Sequence, residues 1–283
     1  MDYSQILSQQ FNIKEEYAKN IITLLDDGNT IPFIARYRKE MHGSMDDQLI
    51  REFAEKLEYL RGLDKRRDEI RSLIDAQEKL TDEINLALDK AATLSELEDI
   101  YRPYRPKRKT RASIAKEKGL KPLANDILKQ EKGFDPSKSA VDYIDEEKGV
   151  TSVEDAIQGA MDIIAELVSD NAEIRKRIRN LTNANGVLVS VATDEEKDSV
   201  YKNYYDYKEP VKKIAGHRVL AVNRGEKEGF LKVSIETDSE KPLNSIFRAM
   251  ITDKNQLCSD INSEACTDTF HRLIYHTIER SGR

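Results

Sequence analysis

Apolar residues recur every three or four positions through much of the chain, which is the spacing of a helix with one buried face. Two such sets lie in the first 28 residues, over 6–11 and 18–25, and Gly28 ends the second. Pro32 then stands where a third helix would have its first turn. These elements fit a helix-turn-helix-like unit. They fit any other small helical bundle equally well, and the second interpretation is favoured.

A long amphipathic helix is predicted over residues 45–74, with Ser44 as its N-cap and Asp47 in an acidic first turn. Its apolar stripe consists of Leu49, Phe53, Leu57, Leu60, Leu63, Ile70, Leu73 and Ile74. Such a stripe suits a coiled-coil seam. The heptads do not persist, however, which favours contact with other helices of the same chain.

Further helices are predicted from N-terminal capping signals, in which Thr or Asp is followed three residues later by Glu. The signals are Thr93 with Glu96, Thr151 with Glu154, Asp170 with Glu173, and Thr81 before an acidic first turn. They predict helices over about 94–101, 152–168 and 171–184.

The pattern changes after Gly186. Residues 187–191 (VLVSV) form a short β-prone run and residues 231–235 (LKVSI) alternate with period two, so both are predicted strands that could pair. Pro242 opens a helix over 243–253, and a last helix lies near 267–280. The predicted fold is mostly α: stacked helical subdomains with an N-terminal helix-turn-helix-like unit and a small β element. A helical region over 1–190 is followed by a second region over 191–283.

Composition agrees with long helices that expose much of their surface. Of 283 residues, 39% are hydrophobic and 35% charged, while Gly (12) and Pro (7) are scarce. No apolar run approaches the roughly 18 residues of a membrane span, and the first residues lack a signal-peptide pattern. Two cysteines could form only one disulfide bond, which is too few to stabilise a chain of this length. The expected location is the cytoplasm, without membrane contact.

Charge is distributed unevenly, and one segment stands out. The whole chain carries −6, but residues 102–121 contain nine Lys or Arg and one acid, Glu117, which leaves +8. Pro103 and Pro106 disfavour a regular helix and hold the backbone extended. Extended basic backbone with interleaved tyrosines suits phosphate contact and stacking on bases. The predicted nucleic-acid-binding residues are Arg102, Tyr104, Arg105, Lys107, Arg108, Lys109 and Arg111.

The alternative for this segment is a solvated loop whose charges pair with acids just upstream, at Glu96, Glu98 and Asp99. From the residues alone the two interpretations have even weight. A second basic cluster, residues 175–179 (RKRIR), is predicted to be a solvated helix surface, as most charge runs are.

Patterns that carry catalysis or bind cofactors are not found. Cys258, Cys266, His271 and His276 have the residue types of a zinc site, but five-residue steps on a helix place the two histidines about 140° apart. The chain has no phosphate-binding glycine loop and no nucleophile elbow. No metal, cofactor or enzymatic activity is therefore expected.

Three stretches resemble the Tex family of bacterial transcription accessory proteins. They are residues 31–40 (IPFIARYRKE), residues 94–112 (LSELEDIYRPYRPKRKTRA), and residues 204–229, which include YYDY and RGEKEG. The family pattern Ile-Pro-Ser-His-Arg is altered, because Ala215 and Gly216 replace its Pro and Ser before His217. The resemblance covers about residues 6–280.

The resemblance implies a helical N-terminal region followed, in the family, by an RNase-H-like domain, helix-hairpin-helix motifs and an RNA-binding OB-fold. This chain is expected to stop near residue 280, where the RNase-H-like domain would begin. The implied function is that of a non-enzymatic scaffold that binds RNA or DNA weakly. Implied further partners are RNA polymerase or ribosome-associated machinery. The rival hypothesis is a protein–protein scaffold without nucleic-acid contact. A hydrolase using unrecognised carboxylates is a third and weaker hypothesis.

Overall fold

The fold was obtained as a computed structural model, which describes residues 2–106, 108–252, 254–275, 277 and 278. By its internal contacts the chain divides after Tyr101 into two units. Fifteen α-helices and three short strands lie in the described part, which confirms a mostly α fold with a small β element. None of these described helices has both the length and the apolar character to cross a membrane. The boundary predicted at 190/191 stays a prediction.

The first unit consists of helices that surround the long α5. Their bounds are α1 Tyr3–Phe11, α2 Glu15–Asp26, α3 Ile31–Tyr37, α4 Lys39–His42, α5 Asp47–Asp75, α6 Asp82–Lys90 and α7 Leu94–Tyr101. Pro32 lies in the first turn of α3, as predicted. The core unites Leu7, Ile21 and Ile34 with Ile50 and Phe53 of α5, all of them fully buried. A helix-turn-helix-like unit within α1–α4 stays a prediction.

The predicted apolar stripe of α5 is largely confirmed, with two differences. Ile50 is buried in its first turn, while Leu49 is only half-buried and Leu73 is 43% exposed. The gap between Leu63 and Ile70 is filled by Arg67, which is 5% exposed. The stripe therefore includes one buried charge that apolar spacing cannot reveal.

The second unit is built around α11, a helix buried along most of its length. Its α-helices are α8 Arg111–Glu117, α9 Lys121–Lys129, α10 Pro136–Ala140, α11 Val153–Asp170, α12 Ala172–Asn185, α13 Gly216–Lys227, α14 Glu240–Met250 and α15 Gln256–Thr269. A π-helical turn, Phe270–Ile274, continues α15. The last helix thus begins at Gln256, not near 267 as predicted. Helices α8, α9 and α15 contact α11 directly and share its core.

A three-stranded antiparallel sheet completes the second unit. Strand β1 (Val187–Ala192) lies between β2 (Asp206–Pro210) and β3 (Leu231–Glu236), with Val189 opposite both Lys208 and Ser234. The predicted pairing of the two apolar strands is confirmed. Strand β2 was not predicted, because its sequence DYKEP is polar and edge strands need no apolar alternation.

Three predicted N-caps are wrong by one or two positions. Asp46, not Ser44, caps α5, and its Oδ1 accepts the Leu49 N–H at 2.8 Å. Ser152, not Thr151, caps α11, and Asn171, not Asp170, caps α12. By contrast, Thr93 and Thr81 do lie at helix starts as predicted, and their hydroxyl oxygens accept the N–H groups of Glu96 and Ile84. Where two capping residues are adjacent, the backbone conformation decides between them.

Candidate nucleic-acid interface

The predicted interface is only partly an extended loop. Arg102–Tyr104 form a single 3₁₀ turn, residues 105, 106 and 108–110 are irregular, and α8 begins at Arg111. The expectation of extended backbone over 102–121 as a whole is therefore wrong, because residues 102–104 and 111–117 are helical. Beyond Thr110, the side chains of Ala112 and Ala115 are buried in the core. Lys107 lies outside the described residues.

One end of this segment is fixed by an ion pair. The Arg102 Nε donates to Asp170 Oδ1 of α11 at 3.0 Å, and its Nη2 lies 3.5 Å from the Ser169 hydroxyl. The two charged side chains are 28% and 12% exposed. Solvent screens such a pair only partly, so it stabilises the position of the 3₁₀ turn on α11. Arg102 thereby positions the segment, because its guanidinium is already engaged.

The other end is fixed by a reciprocal cap that the sequence analysis missed. The Ser113 N–H donates to Thr110 Oγ1 at 3.0 Å, and the Thr110 N–H donates to Ser113 Oγ at 2.8 Å. Thr110 also donates its hydroxyl to Glu166 Oε1 of α11 at 3.2 Å. A capping box with Ser in place of Glu at the third position escapes the usual sequence signature. The segment is thus held to α11 at both ends.

Between these anchors, cationic side chains face solvent. Arg105, Arg108, Lys109 and Arg111 are all exposed, and Tyr104 is half-buried. The Lys109 ammonium lies 3.6 Å from Glu117, with both side chains about two-thirds exposed. An exposed pair of that kind contributes roughly 0–1 kcal/mol and is readily exchanged for another anion. Four cations of the predicted set are therefore accessible along one short segment.

The acids that face this segment come from α11 and not from the stretch just upstream of it. Asp162, Glu166 and Asp170 follow each other at four-residue steps and so share one face of the helix. They border a cavity of about 440 Å³ together with Arg102, Arg105, Arg111 and Arg272. Glu166 also accepts the Lys116 ammonium at 2.5 Å. The local +8 is therefore partly neutralised, although by residues some 50 or more positions downstream in the chain.

Asp162 is held more loosely than the other two carboxylates. The Arg272 guanidinium lies 3.7 Å from it, and Arg272 contacts Asp268 more closely, at 2.6 Å. Burial raises the pKa of Asp162 above its usual range, while Arg272 and Arg111 oppose that shift. Because burial outweighs them, the cavity wall at Asp162 carries a less stable negative charge than an exposed carboxylate would. The sequence does contain a signal for this acidic face of α11, namely carboxylates at four-residue spacing on an otherwise apolar helix.

The second basic cluster differs from its predicted solvated surface. Arg175 is only 2% exposed, and its Nη1 lies 3.5 Å from the Ser169 carbonyl oxygen. Arg177 is half-exposed and pairs with Glu173 one helical turn earlier, as predicted for a solvated charge. The prediction is therefore wrong for Arg175, which belongs to the interior of the unit.

The two cysteines of the rejected zinc site lie on α15. Cys258 and Cys266 are both buried, and burial raises the pKa of the Cys266 thiol to about 12. At neutral pH this thiol is protonated and a poor metal ligand. His276, the most distant of the four residues in sequence, lies outside the described residues.

Relatives from bacteria and animals align with most or all of the chain. YdcI of Bacillus subtilis is 42% identical over 290 residues, which cover 100% of this chain and 40% of that protein. The transcriptional accessory protein Tex of Neisseria gonorrhoeae is 39% identical over 238 residues, covering 83% of this chain and 31% of Tex. Human S1 RNA-binding domain-containing protein 1 is 29% identical over 299 residues, which cover 100% of this chain and 30% of that protein. The chain thus spans two fifths or less of the length of these relatives.

Two family models account for most of the sequence. The Tex-like protein N-terminal domain matches residues 1–75, which end with α5. The Tex central region-like model matches residues 131–279, which include α11, the sheet and α15. The second match alone covers more than half of the chain. With the Tex proteins among its relatives, the chain belongs to the Tex family, as the resemblance of its sequence motifs predicted.

Proposed function

We propose that this chain is part of a cytoplasmic transcription accessory protein and that it associates with nucleic acid through residues 102–111. The observation that carries this proposal is the exposure of four cations, at 105, 108, 109 and 111, on a segment held at both ends. Fixed cations lose less conformational freedom on binding phosphates than cations on a mobile tail do. The proposed role is association without catalysis.

The side chains of the segment have different proposed roles. Arg105, Arg108 and Arg111 can grip phosphate oxygens with two N–H groups each, which lysine cannot do. Tyr104 is half-buried, so one part of its ring remains accessible for stacking on a base. Arg102 holds the segment in place through Asp170. Lys107, which lies outside the described residues, is the remaining member of the proposed set.

Charge limits how tightly this chain binds. The net charge is −6, and three α11 carboxylates border the same cavity as the arginines. An approaching phosphate backbone is repelled by both. We therefore expect a dissociation constant in the micromolar range or weaker at physiological salt, comparable to non-specific binding of about 10⁻⁴–10⁻⁶ M.

The proposal extends to the transcription machinery through the names of relatives. One relative is called a transcriptional accessory protein, and another is named for an S1 RNA-binding domain. Because this chain matches only about a third of each, those names support a shared context and not a shared binding domain. Contact with RNA polymerase or ribosome-associated machinery is proposed on the same basis.

Replacing Arg105, Arg108 and Arg111 together by Ala tests the interface. Each lost phosphate contact reduces the steepness with which log K falls against log salt by about 0.7 for a single strand, so the triple variant should lose about two units of slope. The fold should persist, because all three side chains are exposed. Fluorescence anisotropy of a labelled single-stranded oligonucleotide, measured over a series of salt concentrations, gives both slopes.

The matched control removes three cations elsewhere in the same unit, by changing Lys132, Lys138 and Arg177 to Ala. All three are exposed, whereas Arg175 is unsuitable because it is buried. The control should bind with a nearly wild-type slope. Equal slopes for the wild type and the first triple variant would show that residues 102–111 form a solvated loop, and the protein–protein scaffold would then be the better account.

A further inference from the structure

Helix α3 and the start of α4 carry an exposed aromatic and basic surface in the first unit, which the proposed function leaves unused. We call it the α3 surface, and its members are Phe33, Arg36, Tyr37, Arg38 and Lys39. Phe33 is 36% exposed and Tyr37 is 66% exposed. Two large aromatic side chains that adjoin each other at the surface, among cations, form a contiguous exposed patch of the kind that marks binding sites.

The two rings lie one helical turn apart and contact each other. Their centroids are 5.4 Å apart and their planes are inclined by 41°. The Arg38 guanidinium lies 5.5 Å from the centroid of the Phe33 ring. Arginine, phenylalanine and tyrosine thus form one continuous set of flat groups, and such groups stack on nucleobases.

The surface rests on a rigid base. Ile34, the residue that follows Phe33 on α3, is fully buried in the core of the first unit. Its carbonyl oxygen lies 3.0 Å from Nε2 of His42, a fully buried residue of α4. Since a carbonyl can only accept, Nε2 carries the proton and ties α4 to α3. The Asn20 amide likewise donates to the Met41 carbonyl oxygen at 3.0 Å.

The charge of the surface favours an anionic partner. Residues 31–40 contain three cations and a single acid, Glu40. Asp46 and Asp47 border the same depression of about 550 Å³ as Arg36 and Lys39. Both of these acids are engaged in α5, where Asp46 caps the helix and Asp47 pairs with Arg51 at 3.1 Å. Arg36 and Lys39 are both exposed at this depression, where an anion could reach them.

We propose that the α3 surface binds single-stranded nucleic acid, with a base stacked on Tyr37 and the adjoining phosphates held by Arg36 and Lys39. Stacked bases explain the paired aromatic rings, and phosphates explain the cations around them. An acidic peptide would satisfy the cations but would leave the two exposed rings without a partner of matching shape. This site lies in the first unit and does not depend on the interface proposed at 102–111.

The chain contains no Trp, so one substitution creates a specific reporter. In the Tyr37→Trp variant, an oligoadenylate single strand should quench the indole fluorescence in a saturable manner, because the base stacks on the ring. An abasic oligomer of equal length and charge should leave it nearly unchanged. The matched control is Tyr59→Trp on α5, where the native ring is 42% exposed with the Lys56 ammonium 5.0 Å from its centroid. Its fluorescence should not change saturably.

Binding energy is tested separately with Phe33→Ala and Tyr37→Ala combined. Loss of one stacked base should weaken oligoadenylate binding about tenfold or more. Tyr37→Ala alone, at a ring that is 66% exposed, should leave the melting temperature nearly unchanged. In the Tyr37→Trp variant, equal quenching of the indole by the abasic oligomer, or no quenching at all, would overturn the proposal, as would quenching only by an added protein. When Tyr37→Trp is combined with the triple variant of Arg105, Arg108 and Arg111, we expect oligoadenylate still to quench the indole. Loss of quenching in that background would show that the α3 surface is not an independent site.

Discussion

Changing Arg67 to Ala should destabilise the protein by about 3–5 kcal/mol, the usual cost of leaving a buried charged network without one partner. Arg67 is 5% exposed on α5. Its Nε donates to the Leu88 carbonyl oxygen and its Nη2 to that of Ala91, each at 2.9 Å, and its Nη1 contacts Asp64. The substitution leaves two carbonyls at the end of α6 and a largely buried carboxylate without this donor.

Urea unfolding followed by circular dichroism measures this loss. The control is Arg51→Ala on the same helix, where an exposed pair with Asp47 contributes only about 0.3–0.5 kcal/mol. If both variants unfold at the same urea concentration, Arg67 does not hold the end of α6 against α5. The described network would then have no energetic weight.

Changing Phe270 to Ala should cost the second unit about 3–5 kcal/mol, through lost burial and the cavity left behind. Phe270 is 1% exposed at the junction of α15 and the π-helical turn. Its ring packs 5.7 Å from that of Tyr275, whose hydroxyl donates to the Ile235 carbonyl oxygen of β3 at 2.6 Å. The side chain therefore supports both the helical core and the attachment of the sheet.

Differential scanning calorimetry should detect the effect as a clear fall in melting temperature, at roughly 2–4 °C per kcal/mol for a unit of this size. Leu257→Ala on the same helix is the control, since that side chain is 54% exposed and its loss should change stability by about 0.5 kcal/mol or less. A Phe270→Ala variant that melts with the wild type would contradict the assignment of this residue to the core.

Periodicity predicted most helices because burial of one face is a local property of the sequence. The exact start of a helix was mispredicted where two residues that can cap it are adjacent, as at Asp170 and Asn171. The N-cap is the residue that takes an extended backbone conformation, which the sequence does not show. At Ser44 the backbone is left-handed, with φ of 63°, which excludes it as the cap. Strand β2 was missed because only its pairing with β1 identifies it.

The candidate site was predictable in its charge but not in its surroundings. The cluster of cations over 102–111 is visible in the sequence, and four of its members are exposed, three on irregular backbone and Arg111 in the first turn of α8. The acids that face it could not be identified, since α11 lies some 50 residues downstream and only the fold brings Glu166 beside Thr110. Burial of Arg67 and Arg175 could not be predicted either, because each is a charged residue at a position on the buried face of its helix, where apolar residues are expected.

The central claim is that this chain contacts nucleic acid through a small number of phosphates. Titration of the wild-type chain with a labelled single-stranded oligonucleotide, over a series of salt concentrations, tests it most directly. Three or four contacts predict saturable binding in the micromolar range or weaker, with log K falling against log salt at a slope of about −2 to −3. Absence of saturable binding at the lowest salt, or an affinity that does not change with salt, would contradict the claim.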